Sequence, residues 1–322
     1  MEYRKICIVG PGAIGGMMAV LMARAGHDVC ALARPAKAEA INSRGLTLVL
    51  AGETLHADIK ASSNAADLGP QDLVIVTLKA NALPAVAPQL GALCGPETPI
   101  VFAMNGTPWW FFDSFGGRFA GTRLRSVDAD GRIARAVDAA RVVWGVITCS
   151  VGERDDGVIV HTASRTLILG RPSNVASGLE DIAAVFRPRG YATTVSTNIR
   201  QEIWTKLQVN ITVNPMSALT HGALGELIAE PLLEEAMHAV AGEMRALGLA
   251  LGLDPGPDRF DGLKNSTVKT SMLQDLERGR PLETHNIVEA VVEIAGLAGI
   301  PMPQTRMLLG LLRLRAKTAG LM

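Results

Sequence analysis

The strongest constraint on the fold is Gly10-Pro11-Gly12-Ala13-Ile14-Gly15-Gly16. It stands directly behind the β-rich apolar run Lys5–Gly10 (KICIVG) and opens Ile14–Ala25, a stretch of helical spacing. The pattern GxGxxG alone is weak evidence, because a chain with 33 glycines produces it by chance. Between a strand and a helix each glycine acquires a role. Gly10 permits the tight turn, Gly12 lets the backbone approach a pyrophosphate, and Gly15 lets helix and strand pack closely. The helix start at Ala13 and Ile14 then turns unpaired N–H groups and partial positive charge toward the phosphates. A dinucleotide site is expected here; a purely structural glycine turn is the plainer alternative.

Which dinucleotide is bound depends on the end of the second strand, Asp28–Ala33. An acid there would bind a ribose 2′-hydroxyl and repel a 2′-phosphate. The sequence instead runs Ala31-Leu32-Ala33-Arg34, with Lys37 following and no acid before Glu39. A guanidinium at Arg34 and an ammonium at Lys37 suit a 2′-phosphate, so NADPH is expected over NADH; a solvated basic helix start is the plainer alternative.

The rest of the first part alternates strand and helix. A helix is expected over Ala36–Arg44, and the continuous apolar strands Asp72–Lys79 and Pro99–Asn105 fit a parallel sheet covered on both faces. From Ala140 to Arg171 the period becomes two. This predicts antiparallel strands at Val142–Val151, Val158–Thr162 and Thr166–Leu169, with a polar turn ending at Gly157. Beyond Thr197 the helical stretches Ile199–Val213, Leu232–Leu247, Ser266–Glu277 and Asn286–Ala298 dominate. The expected fold class is a Rossmann-like α/β domain over residues 1–196, followed by an all-α domain over 197–322.

Composition narrows the function. With 31 Lys+Arg against 31 Asp+Glu there is no basic excess of the kind nucleic-acid binders carry. No apolar run approaches the ~20 residues that span a bilayer, and Ile6–Val9 is too short for a secretory signal. Cys7, Cys30, Cys94 and Cys149 are scattered, as small buried hydrophobes of a reducing compartment would be. The six histidines show no metal-ligand spacing, so no metal site is expected. A cytoplasmic enzyme is the expectation.

Polar groups then mark candidate positions. Lys79 and Asn105, the latter followed by Gly106, close two of the expected strands, where ligands of open parallel sheets bind. Each alone reads equally well as a sheet-rim lysine or a plain turn, but both ends face the glycine turn's side of the sheet, which favours a site. Lys206, Asn210 and Asn214 recur every fourth residue on an otherwise apolar helix and so share one face. That is either a solvated stripe or a buried site whose groups each need a partner. Ser271 and Glu283 read as helix-surface residues on their own. Trp109, Trp110, Phe111 and Phe112 read as local core or as a pocket wall.

Together these residues resemble the ketopantoate reductase family. The likeness rests on Gly10–Gly15, Arg34, Val76-Thr77-Leu78-Lys79-Ala80, Asn105-Gly106, Ile199–Leu207 continuing through Asn210 and Asn214-Pro215, and Ser271-Met272-Leu273-Gln274-Asp275 with Glu283. It implies NADPH-dependent reduction of 2-dehydropantoate to pantoate, in pantothenate and coenzyme A synthesis. The active site would lie in the cleft between the two domains. Lys206 would be the catalytic acid and Glu283 a substrate-binding, lysine-positioning carboxylate. Asn105, Asn210, Asn214 and Ser271 would contact a small 2-oxo acid, Asn105 would also touch the cofactor, and Lys79 would bind the cofactor near the substrate. Ala82, Met104 and His285 depart from the family pattern, which motivates reduction of a different 2-oxo acid as an alternative. A non-catalytic NADPH sensor is a second alternative. Monomer and homodimer both fit the apolar helices.

Overall fold

The computed structural model describes residues 3–258 and 260–321. The chain forms two compact units. The first comprises the chain up to Met104, Phe112–Gly121 and Asp130–Ile199; the second comprises Asn105–Phe111, Thr122–Ala129 and the chain from Arg200 onward.

The first unit is built on β1 (Lys5–Val9), α1 (Ala13–Ala23), β2 (Asp28–Leu32), α2 (Pro35–Arg44), β3 (Leu46–Leu50), β4 (Glu53–Ala57), β5 (Lys60–Ser62) and β6 (Leu73–Val76). Then come α3 (Leu83–Val86), β7 (Ile100–Phe102), α4 (Arg132–Ala136), β8 (Val142–Glu153), β9 (Ile159–Gly170), α5 (Leu179–Phe186) and β10 (Ala192–Val195). The ten strands form one sheet in the order β4-β3-β9-β8-β7-β6-β1-β2-β5, with β10 beside β9. From β5 through β2, β1, β6 and β7 to β8 every pairing is parallel, which makes this half Rossmann-like. The strand order reverses at β1, so the glycine turn behind it lies at a topological switch point.

The other half is mixed. β8 and β9 are antiparallel, with a register shift around Cys149 to Val151. Such a bulge bends and twists a strand. The start of β9 pairs with β3, and β3 with β4, so the sheet curls back around α1. That explains an α1 sequence, AIGGMMAVLMA, that is apolar on every side: Met17, Met18 and Val20 are 0% exposed. Gly16 is part of this packing, since a Cβ there would lie 2.4 Å from Ile159 of β9.

Several boundaries differ from the sequence expectation. The strand expected over Asp72–Lys79 ends at Val76, leaving Lys79 three residues beyond it at the start of a 3-10 turn. The two short strands expected at Val158–Thr162 and Thr166–Leu169 are one strand, β9, because β8 pairs along its whole length. The β3–β4 hairpin has no counterpart in the expectation; its turn residues Ala51 and Gly52 both have positive φ. Cys7 and Cys30 are buried cross-strand neighbours as expected, whereas Cys94 and Cys149 are half-buried.

The second unit is helical: α6 (Ile199–Thr220), α7 (Leu224–Ala229), α8 (Pro231–Ala250), α9 (Ser271–Glu277), α10 (Ala290–Ala298) and α11 (Pro303–Thr318). α6 outruns its expected end at Val213 and passes through Pro215. The missing N–H of Pro215 costs one backbone bond, but Val213, Met216 and Ala218 are all buried around it and hold the turn in place. α9 is shorter than expected, because the Thr270 hydroxyl accepts from the Leu273 N–H and starts the helix at Ser271. The helix expected from Asn286 opens with a π turn, His285–Glu289. Among the described residues no helix is long and apolar enough to cross a membrane.

Candidate active site

α6 carries the lysine–asparagine face, and its docking on α8 sets where that face stands. Trp204 is fully buried and donates its indole N–H to the Met244 carbonyl (3.4 Å). One turn later Gln208 donates to the Ala241 carbonyl (3.3 Å). The helices approach closely because residue 248 is glycine: a Cβ there would lie 2.4 Å from the Trp204 indole nitrogen.

The segment after β7 is fastened to the same helix. Arg200, only 4% exposed, donates from Nε to the Phe111 carbonyl (2.7 Å) and lies over the Trp110 ring. Phe111 packs on Trp204 with ring centroids 5.9 Å apart. A desolvated cation–π contact is worth about 2 kcal/mol, and the guanidinium here is satisfied by a carbonyl as well. The four aromatic residues 109–112 are thus core, all buried; Phe112 stacks within the first unit on Phe119. They lie in turns rather than in a helix.

This anchoring delivers Asn105 to Lys206. The Lys206 Nζ donates to Asn105 Oδ1 at 2.7 Å, with both residues half-buried. Asn105 is held from its other side by Asn286, whose Nδ2 donates to the Asn105 carbonyl (2.7 Å). Asn210, one turn beyond Lys206, is half-buried, and Asn214 is 5% exposed. Glu283 is half-buried and lies two residues before the π turn. Ser271 is exposed at the first position of α9, while Asp275 on that helix is buried. Lys206 and Asn105 are therefore brought together directly, with Asn210 and Asn214 above them on α6.

The glycine turn of the first unit has the shape a dinucleotide requires. Gly10 has φ +87°, and a Cβ on it would lie 2.6 Å from Leu78. A Cβ on Gly15 would lie 2.3 Å from Thr77 Oγ1 and 2.5 Å from the Gly10 carbonyl. Gly12 differs: it is exposed, and a Cβ there meets nothing within 4 Å, so the opening lies where a phosphate would come. Gly12 is the N-cap of α1, no side chain caps that end, and its first turn has no acid. The N–H groups of Ala13, Ile14 and Gly15 are thereby left to an anion. Arg34 is exposed at the N-cap of α2. Lys37 forms an ion pair with Glu153, which leaves Arg34 as the cation for a 2′-phosphate. These residues fit the group.

Two contributors escaped the sequence reading. The Thr77 hydroxyl donates to the Gly10 carbonyl (2.8 Å) and its N–H to the Val9 carbonyl (2.9 Å), tying the glycine turn to the end of β6. A polar residue closing an apolar strand opposite a glycine turn was the available signal. Asn286 had none, because its partner lies far away in sequence.

A Rossmann-like unit with an open glycine turn and a helical unit bearing a lysine–amide pair together define a nicotinamide-dependent oxidoreductase. Sequence models of the ketopantoate reductase PanE/ApbA family match residues 6–174, and those of its C-terminal part match residues 198–316. The chain belongs to this family, one of NADPH-dependent oxidoreductases acting on CH–OH groups. The 2-dehydropantoate 2-reductase of Mesorhizobium japonicum is 38% identical over 98% of this chain and 99% of its own. A solved ketopantoate reductase homologue from Ralstonia solanacearum superposes with a TM-score of 0.92 at 40% identity, covering 100% of both chains. The PanE/ApbA family ketopantoate reductase from Ralstonia eutropha has a TM-score of 0.82 at 25% identity, over 98% of this chain and 99% of its own.

Proposed function

We propose that the chain reduces 2-dehydropantoate to pantoate with NADPH, using Lys206 as the proton donor. The observation that carries this reading is the 2.7 Å bond between Lys206 Nζ and Asn105 Oδ1, which aims an ammonium from a half-buried helix face. NADPH, when bound, supplies the hydride. Hydride arriving at a ketone carbon leaves negative charge on its oxygen. The Lys206 ammonium donates to Asn105, and an ammonium in this place can stabilise that oxygen and protonate it. The Asn105 Nδ2 is a donor that can fix the orientation of the substrate. Asn210, Asn214 and Ser271 are proposed as further substrate contacts, and Glu283 as the carboxylate that positions Lys206 and binds the substrate hydroxyl. Lys79 is proposed to lie by cofactor and substrate. Gly10, Gly12, Ala13, Ile14, Gly15 and Arg34 are proposed to hold the dinucleotide, with residues 1–196 as the NADP-binding domain and 197–322 as the substrate domain. The reading places the chain in the cytoplasm, in pantothenate and coenzyme A synthesis.

The test follows NADPH absorbance with ketopantoate and a panel of branched and aromatic 2-oxo acids, with Lys206→Ala alongside. Ketopantoate should be the best substrate. Lys206→Ala should lose kcat by about 100- to 1000-fold, the cost of one well-placed charge-stabilising donor, with NADPH affinity kept. Retained turnover would remove Lys206 from the role. Turnover on another acid alone would move the reading to a different 2-oxo acid.

A further inference from the structure

We infer that Asn286 is a positioning residue for the Lys206–Asn105 pair, an inference that rests on the reductase reading above. Asn286 is 2% exposed and sits in the π turn His285–Glu289 that opens α10. Single π turns within helices recur at functional sites. From this turn Asn286 grips the segment after β7 at two points. Its Nδ2 donates to the Asn105 carbonyl at 2.7 Å, and its own main-chain carbonyl accepts the Thr107 N–H at 2.7 Å. The two bonds straddle Gly106. Gly106 has φ +85°, and a Cβ on it would lie 2.2 Å from Asn286 Nδ2 and 2.7 Å from the Asn286 carbonyl oxygen. The turn is therefore shaped around this contact, in conformation and in space.

The consequence for Lys206 follows from the flexibility of lysine. An ammonium on a four-carbon stem has many rotamers and no fixed direction of its own. Here Asn105 Oδ1 supplies the direction, and Asn105 lies outside regular secondary structure. The orientation of its side chain depends on the main chain at residues 105–107, which Asn286 clamps. The same clamp ties the stretch carrying Glu283, three residues earlier, to the stretch carrying Asn105. Asn286 thus acts through Asn105, holding the acceptor that aims the lysine.

The experiment compares Asn286→Ala, Asn286→Asp, Asn105→Ala and the double variant Asn105→Ala/Asn286→Ala. It measures kcat and KM for ketopantoate at saturating NADPH, and NADPH affinity by fluorescence. Asn286→Asp keeps the volume and the main-chain bond but sets a carboxylate oxygen, an acceptor, against the Asn105 carbonyl in place of the donor, so it breaks this bond even if the alanine variant does not fold. Both Asn286 variants should lose about 10- to 100-fold in kcat, as misplacement of a reacting group by about 1 Å does. NADPH affinity should hold to within about twofold, because the dinucleotide residues lie in the other unit. The double variant should be no slower than Asn105→Ala, since a residue acting only through Asn105 has nothing left to position. Wild-type kcat in Asn286→Asp, or a full additional loss in the double variant, would overturn the inference.

If the wild-type chain oxidises NADPH with no 2-oxo acid, the reductase reading fails separately. The clamp is then read from the Lys206 Cε resonance in 13C-lysine-labelled protein, assigned with Lys206→Arg. Asn286→Asp should move that resonance toward its position in Asn105→Ala; an unmoved resonance would overturn the inference.

Discussion

Adding one methyl group at Gly12 and at Gly15 should have opposite consequences, although only two residues lie between them. At Gly15 the new Cβ would lie 2.3 Å from Thr77 Oγ1, 2.5 Å from the Gly10 carbonyl and 3.0 Å from Ile8 Cγ2. One of these neighbours is backbone, and the threonine cannot retreat without giving up its 2.8 Å bond to Gly10. Overpacking of this kind costs about 1–3 kcal/mol. At about 2–4 °C per kcal/mol for a unit of this size, Gly15→Ala should lower the melting temperature by about 2–12 °C. At Gly12 a Cβ meets nothing within 4 Å, and φ is −82°, which alanine adopts freely. Gly12→Ala should leave the ligand-free protein as stable as wild type, or stabilise it by about 0.4–1 kcal/mol through the unfolded chain. The methyl would instead occupy the space through which a pyrophosphate reaches the N-terminus of α1. Losing one charge-assisted bond there costs about 1.5–3 kcal/mol, so NADPH affinity should fall by about 10- to 100-fold. Differential scanning fluorimetry without ligand and titration calorimetry with NADPH separate the two effects. A destabilised Gly12→Ala protein, or one with wild-type affinity, would refute the account of this turn as a cradle open only at Gly12.

Arg34→Ala should weaken NADPH by about tenfold or more while leaving NADH within about twofold, because Lys37 is engaged by Glu153 and Arg34 is exposed at the N-cap of α2; equal losses for both nucleotides in calorimetry would contradict this. Tyr191 is 3% exposed, its hydroxyl oxygen is buried without a hydrogen-bond partner among the described residues, and burial pushes its pKa upward. Tyr191→Phe removes a polar group whose desolvation costs about 1–3 kcal/mol, so urea denaturation should show unchanged or increased stability. Gly106→Ala should lower kcat at least as far as the Asn286 variants do, since it adds positive-φ strain to a collision with both atoms of the clamp.

The readable part of this protein was local. A glycine turn between a strand and a helix is encoded in about a dozen consecutive residues, and so is the i, i+4, i+8 face of Lys206, Asn210 and Asn214 on α6. Periodicity and steric rules act within one element, so sequence alone determined the α/β-then-α order, the glycine turn and the polar face. Pro215, a nominal helix breaker, hid only the last turns of α6, which run past the expected end at Val213 to Thr220. The tertiary structure decided what those elements meet. It closed the sheet around α1 by pairing β3 with β9, explaining an apolar helix that no local pattern could assign to a face. It turned the four aromatic residues 109–112 into core, and it took Lys37 out of the cofactor site with a carboxylate from the end of β8. It set Asn286 against Asn105, at a separation of 181 residues. Hydrogen bonds and packing across such distances depend on where folded elements dock, and a single sequence carries no periodic trace of a bond between residues that become neighbours only after folding.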